Sequence, residues 1–138
     1  MSIVLDASAA LAWVFERSDP SEAQEARTLL GRLATEEAIV PELWHLEVLN
    51  ALVVGHRRGV ITTAKAAAFL HHLEDLPIHT DEISLGGRKE QLFGLAREHE
   101  LSAYDAAYLD LATRTRSALA TFDRRLAAAR DKTGVSPA

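Results

Sequence analysis

Residues 2–15 read SIVLDASAALAWVF, and this stretch decides the fold. Its first part, residues 2–5, is a short apolar run that is long enough for one buried strand, and the alanine-rich residues 7–15 are typical of a helix. Asp6 lies at the junction between the two. In sheets of parallel strands joined by helices, sites lie beyond the carboxyl ends of the strands. Asp6 is therefore a first candidate for a functional residue.

Short apolar strands and helices continue to alternate along the chain. Further strands are predicted at residues 37–40 and 117–121, residues 78–79 are interpreted as a short strand or a loop, and residues 134–135 are predicted to lead a last edge strand. Further helices are predicted at 21–35, 42–58, 62–73, 83–99, 102–115 and 123–131. This order favours the α/β class, with a central, mainly parallel sheet of four to five short strands that helices cover on both faces. The 138 residues fit a single domain over residues 1–138.

The composition excludes several classes of protein. The chain has no cysteine, which excludes disulfides, thiolate zinc sites and a cysteine nucleophile, and which agrees with a reducing cytosol. Its formal net charge of −5 argues against a protein that binds nucleic acid by bulk charge. No segment approaches the roughly 20 apolar residues of a membrane span, and no basic region precedes the first apolar run. We therefore expect a soluble cytoplasmic protein without membrane contact.

Three acidic residues occur where predicted helices begin. Asp6 and Asp123 each lie between a predicted strand and a helix, and Asp105 is the third residue after Ser102 in a capping box. Each of them is compatible with an ordinary helix cap, because aspartate is among the preferred residues at that position. A carboxylate in the first turn of a helix is also held ionised by the helix dipole, which suits a metal ligand.

Glu47 is the acid that local structure explains least well. It lies in a predicted helix that is apolar on most faces, and a helix of this kind is buried or at an interface. Glutamate is rarely buried unless it is paired. Asn50 follows one turn later on the same face and completes a polar pocket in this interpretation. The alternative is a solvent-facing glutamate between two interface surfaces.

Four carboxylates that converge in one pocket repel one another and need cations or protons to neutralise them. Hard divalent ions with oxygen ligands meet this need, which indicates Mg²⁺ or Mn²⁺. Such ions support in-line attack on a phosphodiester. The sequence contains no P-loop, no GxSxG and no HExxH motif, and its six histidines form no ligand pattern.

Two hydroxyl residues lie beside these acids. Ser8 either orients the Asp6 carboxylate or supports the first turn of the helix, and Thr121 either bonds to a neighbouring carboxylate or fills a strand position. The arginines at 57–58, 114, 116 and 124–125 fit a solvated surface or phosphate contact, and the sequence identifies no RNA-binding residue.

Four segments together resemble the PIN-domain family and, within it, the VapC toxins of bacterial and archaeal toxin–antitoxin pairs. The segments are IVLDASAALAW at residues 3–13, PELWHLEVLNAL at 41–52, LSAYDAAYL at 101–109 and LATFDRRL at 119–126. The resemblance covers nearly the whole chain, in order and at the usual spacing. Each motif is short, and the four together are specific.

The resemblance implies an α/β/α sandwich and Mg²⁺- or Mn²⁺-dependent cleavage of RNA. The acidic positions of the family fall on residues of this chain, with Asp6 and Asp105 as the principal metal ligands and Glu47 and Asp123 completing the catalytic pocket. The same resemblance gives Ser8 and Thr121 the role of orienting it. It further implies a homodimer and a cognate antitoxin that inserts a segment across the active site.

Two features depart from the family pattern. Asp110 occupies a position that is usually small or apolar, and it is interpreted as a surface residue or as an additional acid at the rim of the site. Gly86-Gly87 interrupts a segment that is expected to be regular helix.

Two other functions remain open. One is a catalytically silent PIN-like module that only binds an antitoxin or RNA. The other is a phosphoryl-transfer domain with Asp6 as phospho-acceptor, for which no lysine lies within the four motifs.

Overall fold

Four short strands form a parallel sheet in the order β3-β2-β1-β4. In the computed structural model, which describes residues 2–138, the strands are β1 (Ile3–Leu5), β2 (Ala38–Val40), β3 (Ile78–Thr80) and β4 (Ala118–Ala120). Strands β1 and β4 are buried at every residue, as expected for parallel strands covered on both faces. The predicted class and the mainly parallel sheet are confirmed, and every pairing is parallel.

Seven helices flank this sheet. They are α1 (Ala7–Leu11), α2 (Pro20–Arg32), α3 (Leu43–Arg57), α4 (Thr63–Glu74), α5 (Lys89–His99), α6 (Ala103–Thr115) and α7 (Arg124–Lys132). Within residues 2–138, no helix is both long and apolar enough to cross a bilayer.

Two predicted elements differ from the structure. The segment 83–99 is not one helix, because a short 3₁₀ helix at Leu85–Arg88, which contains both glycines, precedes α5. The last edge strand predicted to follow residues 134–135 is reduced to a single parallel pairing. Gly134 turns the chain at a φ of 78°, and the contact with β4 is an isolated bridge between Leu119 and Pro137. Proline has no N–H to donate, so a ladder does not continue there.

The central element of the core is α6. Seven consecutive residues, Ala106–Ala112, are buried, which requires neighbours around the whole circumference of the helix. The helix packs against β1, β4, α5 and α7. Because α6 begins at the carboxyl edge of the sheet, this packing fixes the place of its first turn.

Asp110 is neither a surface residue nor a rim acid, so both sequence interpretations are wrong. It is 4% exposed and accepts hydrogen bonds from Arg88 (Nη2–Oδ1 2.6 Å, Nε–Oδ2 3.1 Å) and Arg114 (Nε–Oδ2 3.1 Å). Arg114 also donates to Asp81 at 2.7 Å. Burial alone would raise the pKa of Asp110, but the two guanidinium groups outweigh it and lower that pKa. The network ties the 3₁₀ helix to α6.

The substitution Asp110→Ala tests the network. It leaves two guanidinium groups without their shared carboxylate. Removing one partner of a fully buried ion pair costs roughly 3–5 kcal/mol, and because both arginines reach solvent here we expect a loss of about 2 kcal/mol. Urea unfolding measures it. Glu36→Ala, which breaks the more exposed pair with Arg32, is the control and should have a smaller effect. Equal effects of the two substitutions would contradict a stabilising network.

Candidate active site

The predicted acids meet at the carboxyl edge of the sheet. Asp6 directly follows β1, Asp105 lies in the first turn of α6, and Asp123 precedes α7. Glu47 reaches the same region from α3. The charges of the other three acids all act on Asp105, so the four carboxylates form one electrostatic cluster.

Asp6 is the most deeply buried of the four, with 5% of its surface exposed. Its Oδ2 atom accepts hydrogen bonds from the hydroxyls of Ser8 at 2.7 Å and Thr121 at 2.6 Å. Its side chain makes no capping hydrogen bond to α1, although Asp6 occupies the cap position. The ordinary helix-cap interpretation therefore does not explain this carboxylate.

Both hydroxyls are oriented by the backbone that follows β4. The Ser8 hydroxyl accepts from the N–H of Phe122 at 3.0 Å, and the Thr121 hydroxyl accepts from the N–H of Asp123 at 3.0 Å. A hydroxyl has one proton to donate. Since its lone pairs receive the backbone N–H, that proton is free to point at Asp6, and the arrangement joins the end of β1 to the end of β4.

The environment of Asp6 disfavours its charge. Burial raises its pKa most strongly, the hydrogen bonds from Thr121 and Ser8 oppose that effect, and the charge of Asp123 raises the pKa further. The net shift is upward. A nearby cation would remove this penalty.

Glu47 is half-buried and has a partner that the sequence interpretation missed. Its Oε1 atom accepts a hydrogen bond from the hydroxyl of Tyr108 at 2.5 Å. Burial raises the pKa of Glu47, the tyrosine hydrogen bond lowers it, and the charge of Asp6 raises it again, with a net upward shift. One signal was available, because Tyr108 lies one turn after Asp105 in an otherwise apolar run and a buried phenol needs an acceptor.

Asp105 and Asp123 combine a local role with a place in the cluster. The N–H of Asp105 donates to the Ser102 hydroxyl at 3.1 Å, which realises the predicted cap of α6. Asp123 is exposed and caps α7 by accepting from the N–H of Leu126 at 2.9 Å. Burial, together with the charges of Asp123, Asp6 and Glu47, raises the pKa of Asp105 to about 6.

Asn50 takes no visible part in this arrangement. It is exposed on α3, and within the part of the chain that the structure describes its side chain makes no hydrogen bond. Its supporting role stays a prediction.

Arg124 and Arg125 are exposed at the start of α7, next to Asp123.

The donor set suits a hard divalent cation. Among residues 2–138, no three His, Cys, Asp or Glu side chains are grouped so that they could hold a metal ion as they stand. Mg²⁺ is usually bound through only one or two carboxylates and keeps several of its waters, so it does not require such a group. The carboxyl groups of Asp6, Glu47 and Asp105 have raised pKa values and offer only oxygen ligands. They are compatible with this mode of binding.

The chain is similar to proteins of known family over almost its whole length. The family model described as PIN domain matches residues 3–132. Ribonuclease VapC3 of Pyrobaculum aerophilum is 34% identical, and the match covers 92% of this chain and 93% of that protein. Ribonuclease VapC3 of Mycobacterium tuberculosis is also 34% identical, with 92% of this chain and 86% of that protein covered. The resemblance inferred from the four motifs is confirmed.

Two solved structures have the same fold. PAE2754 from Pyrobaculum aerophilum matches with a TM-score of 0.71 at 24% identity, covering 94% of this chain and 84% of that chain. FitAcB from Neisseria gonorrhoeae matches with a TM-score of 0.60 at 17% identity, covering 94% and 93%. These likenesses confirm the predicted α/β/α sandwich.

The substitution Asp105→Asn tests the repulsion within the cluster. The folded protein raises the pKa of this carboxyl from 3.8 to about 6, so its charge opposes folding above that range and the penalty disappears as the pH falls below it. In metal-free buffer we expect the variant to melt above the wild type at about pH 7.5, with the difference lost at about pH 4. Scanning calorimetry measures both.

Asp75→Asn, at an exposed position at the end of α4, is the control and should change the melting temperature at neither pH. A lower melting temperature for Asp105→Asn at the higher pH would show that the carboxylate is stabilised rather than repelled.

Proposed function

Because the chain belongs to the PIN domain family, we propose that it is an endoribonuclease that cleaves RNA phosphodiester bonds and depends on Mg²⁺ or Mn²⁺. The observation that carries the proposal is the cluster of acids around Asp105, whose pKa is raised by burial and by three neighbouring carboxylates. The printed names of the two relatives, both ribonucleases, support RNA as the substrate.

In this proposal, Asp6 and Asp105 are the principal cation ligands, and Glu47 and Asp123 complete the pocket. These residues would hold a divalent ion, which would supply activation of water and charge stabilisation of the leaving oxygen of the phosphodiester. Without a cation the clustered carboxylates would repel the phosphates of RNA, so we expect RNA binding at this site to require the ion.

The residues of this chain hold that arrangement in place. Ser8 and Thr121 fix one oxygen of Asp6, so that the carboxylate does not need to be ordered during the reaction. The amino ends of α6 and α7 lie at the same edge of the sheet, and their dipoles favour negative charge. Both features support the binding of a phosphate close to the acids.

We further propose that the protein acts in the cytoplasm as the toxin of a toxin–antitoxin pair, and that a cognate antitoxin neutralises it. The similarity to proteins named VapC3 supports this role. The surface is compatible with protein partners, because large apolar side chains are exposed on three helices. They are Leu46 (72%), Leu49 and Val53 on α3, and Phe93 and Tyr104 on α5 and α6 (62% each).

The substitution Asp6→Asn tests catalysis. It removes a charge from the cluster and keeps the shape of the side chain, so we expect a folded protein whose RNA cleavage falls by more than the roughly 10- to 100-fold that loss of an outer-sphere partner costs. Cleavage of total RNA in Mg²⁺ and in Mn²⁺ measures it, with Asp75→Asn as the control.

Two results would contradict the proposal. One is full activity of Asp6→Asn. The other is a wild-type protein that cuts no RNA with either ion. If that protein still bound RNA or an antitoxin, the hypothesis of a catalytically silent binding module would replace that of an enzyme.

A homodimer is part of the proposal, and Val53→Glu tests it. Val53 lies on the exposed apolar stripe of α3, six residues after Glu47, so a charge there disturbs an interface without entering the acidic cluster. We expect light scattering to show a dimer for the wild type and a monomer for the variant. Ile83→Glu, at an exposed apolar position outside α3, should remain a dimer. A monomeric wild type would refute the dimer.

A further inference from the structure

Tyr108 is a buried polar side chain that touches the acidic cluster and has no role in the function proposed above. It is fully buried in α6, yet its hydroxyl donates to Oε1 of Glu47, a residue of α3 that lies 61 positions earlier in the chain. The contact therefore joins the helix that carries Asp105 to the helix that carries Glu47.

A phenylalanine would fill the same space with less difficulty. The neighbours of Tyr108 along α6, from Ala106 to Leu109, are buried and apolar, and burying a hydroxyl without a partner is costly. The hydroxyl is therefore tolerated because Glu47 accepts its proton in a hydrogen bond. Burial and the hydrogen bond to Glu47 hold the pKa of Tyr108 far above its usual range, so the phenol stays protonated and acts as the donor.

The hydrogen bonds at Glu47 and Asp6 follow the same pattern. At Asp6 the hydroxyls of Ser8 and Thr121 both bind Oδ2, which leaves Oδ1 without a hydroxyl donor. At Glu47 the hydroxyl of Tyr108 binds Oε1, which leaves Oε2 without one. Each of these two acids thus has one oxygen held by hydroxyls and one oxygen without a hydroxyl donor.

We propose that Tyr108 is a positioning residue, which holds Oε1 of Glu47 so that Oε2 is the oxygen offered to the divalent cation. The inference rests on the proposed function, since it concerns the same site. Tyr108 itself contacts neither the cation nor RNA. A glutamate has three rotatable bonds in its side chain, and fixing one oxygen removes most of that freedom before the cation arrives.

The test compares two tyrosines in the same helix. The chain contains only Tyr104 and Tyr108, and Tyr104 is 62% exposed. We expect Tyr108→Phe to weaken Mn²⁺ binding, measured by calorimetry in the absence of RNA, by roughly 10- to 100-fold, as for other partners of metal ligands. Tyr104→Phe should bind Mn²⁺ as the wild type does. In cleavage assays at fixed Mn²⁺, Tyr108→Phe should lower kcat and leave KM for RNA unchanged.

A double-mutant cycle shows whether Tyr108 acts through Glu47. In a Glu47→Gln background, the additional change Tyr108→Phe should alter Mn²⁺ affinity by less than about twofold, because the group being positioned is no longer a carboxylate. A merely structural tyrosine would instead lower the melting temperature in both backgrounds and leave Mn²⁺ affinity as it was. That result would overturn the inference.

A second measurement does not require the phenol to be removed. In the Tyr104→Phe variant labelled with 3-fluorotyrosine, position 108 gives the one fluorotyrosine resonance, which should shift on addition of Mg²⁺ and saturate together with binding. A resonance that stays unchanged at saturation would overturn the inference.

The outcomes separate this inference from the proposed function. If the wild type binds Mn²⁺ and cuts RNA while Tyr108→Phe behaves identically, only this inference fails. If the wild type binds no divalent ion, the proposed function fails with it.

Discussion

The hydroxyls of Ser8 and Thr121 both donate to one oxygen of Asp6, and the site depends on this contact. Each hydroxyl also receives a backbone N–H from the segment after β4, so the acid, the end of β1 and the end of β4 form a single hydrogen-bonded unit. A buried carboxylate is costly to hold. The residues that follow β1 and β4 provide the donors, Ser8 and Thr121, that make it tolerable.

The second support is α6, whose three parts have different tasks. Its first turn carries Asp105, its buried middle carries Tyr108 with the hydrogen bond to Glu47, and its second half carries Asp110 and Arg114. Because the helix is enclosed by strands and helices, it moves little without disturbing the core. Glu47 of α3 is tied to this rigid element by its hydrogen bond from Tyr108.

Much of the fold and part of the candidate site follow from local patterns. The strand before Asp6 and the cap at Ser102 are visible in a few neighbouring residues, and the structure has both. Such neighbouring residues do not identify the partners in contacts between distant parts of the chain. Tyr108 and Glu47 are 61 positions apart, and Asp110 meets Arg88 across 22. The Gly86-Gly87 pair indicated a broken helix, but not that Arg88 would reach a buried acid in α6.

The ion network at Asp110 gives α6 an uneven response to acid. Its arginines lower the pKa of Asp110, so the stability that this carboxylate supplies is present near neutral pH and is lost as the pH falls through that lowered value. At the other end of the helix, burial and neighbouring acids raise the pKa of Asp105 to about 6, and protonation relieves the strain there. Acidification thus relaxes the end of the helix that carries Asp105 and, at lower pH, loosens the end that anchors it.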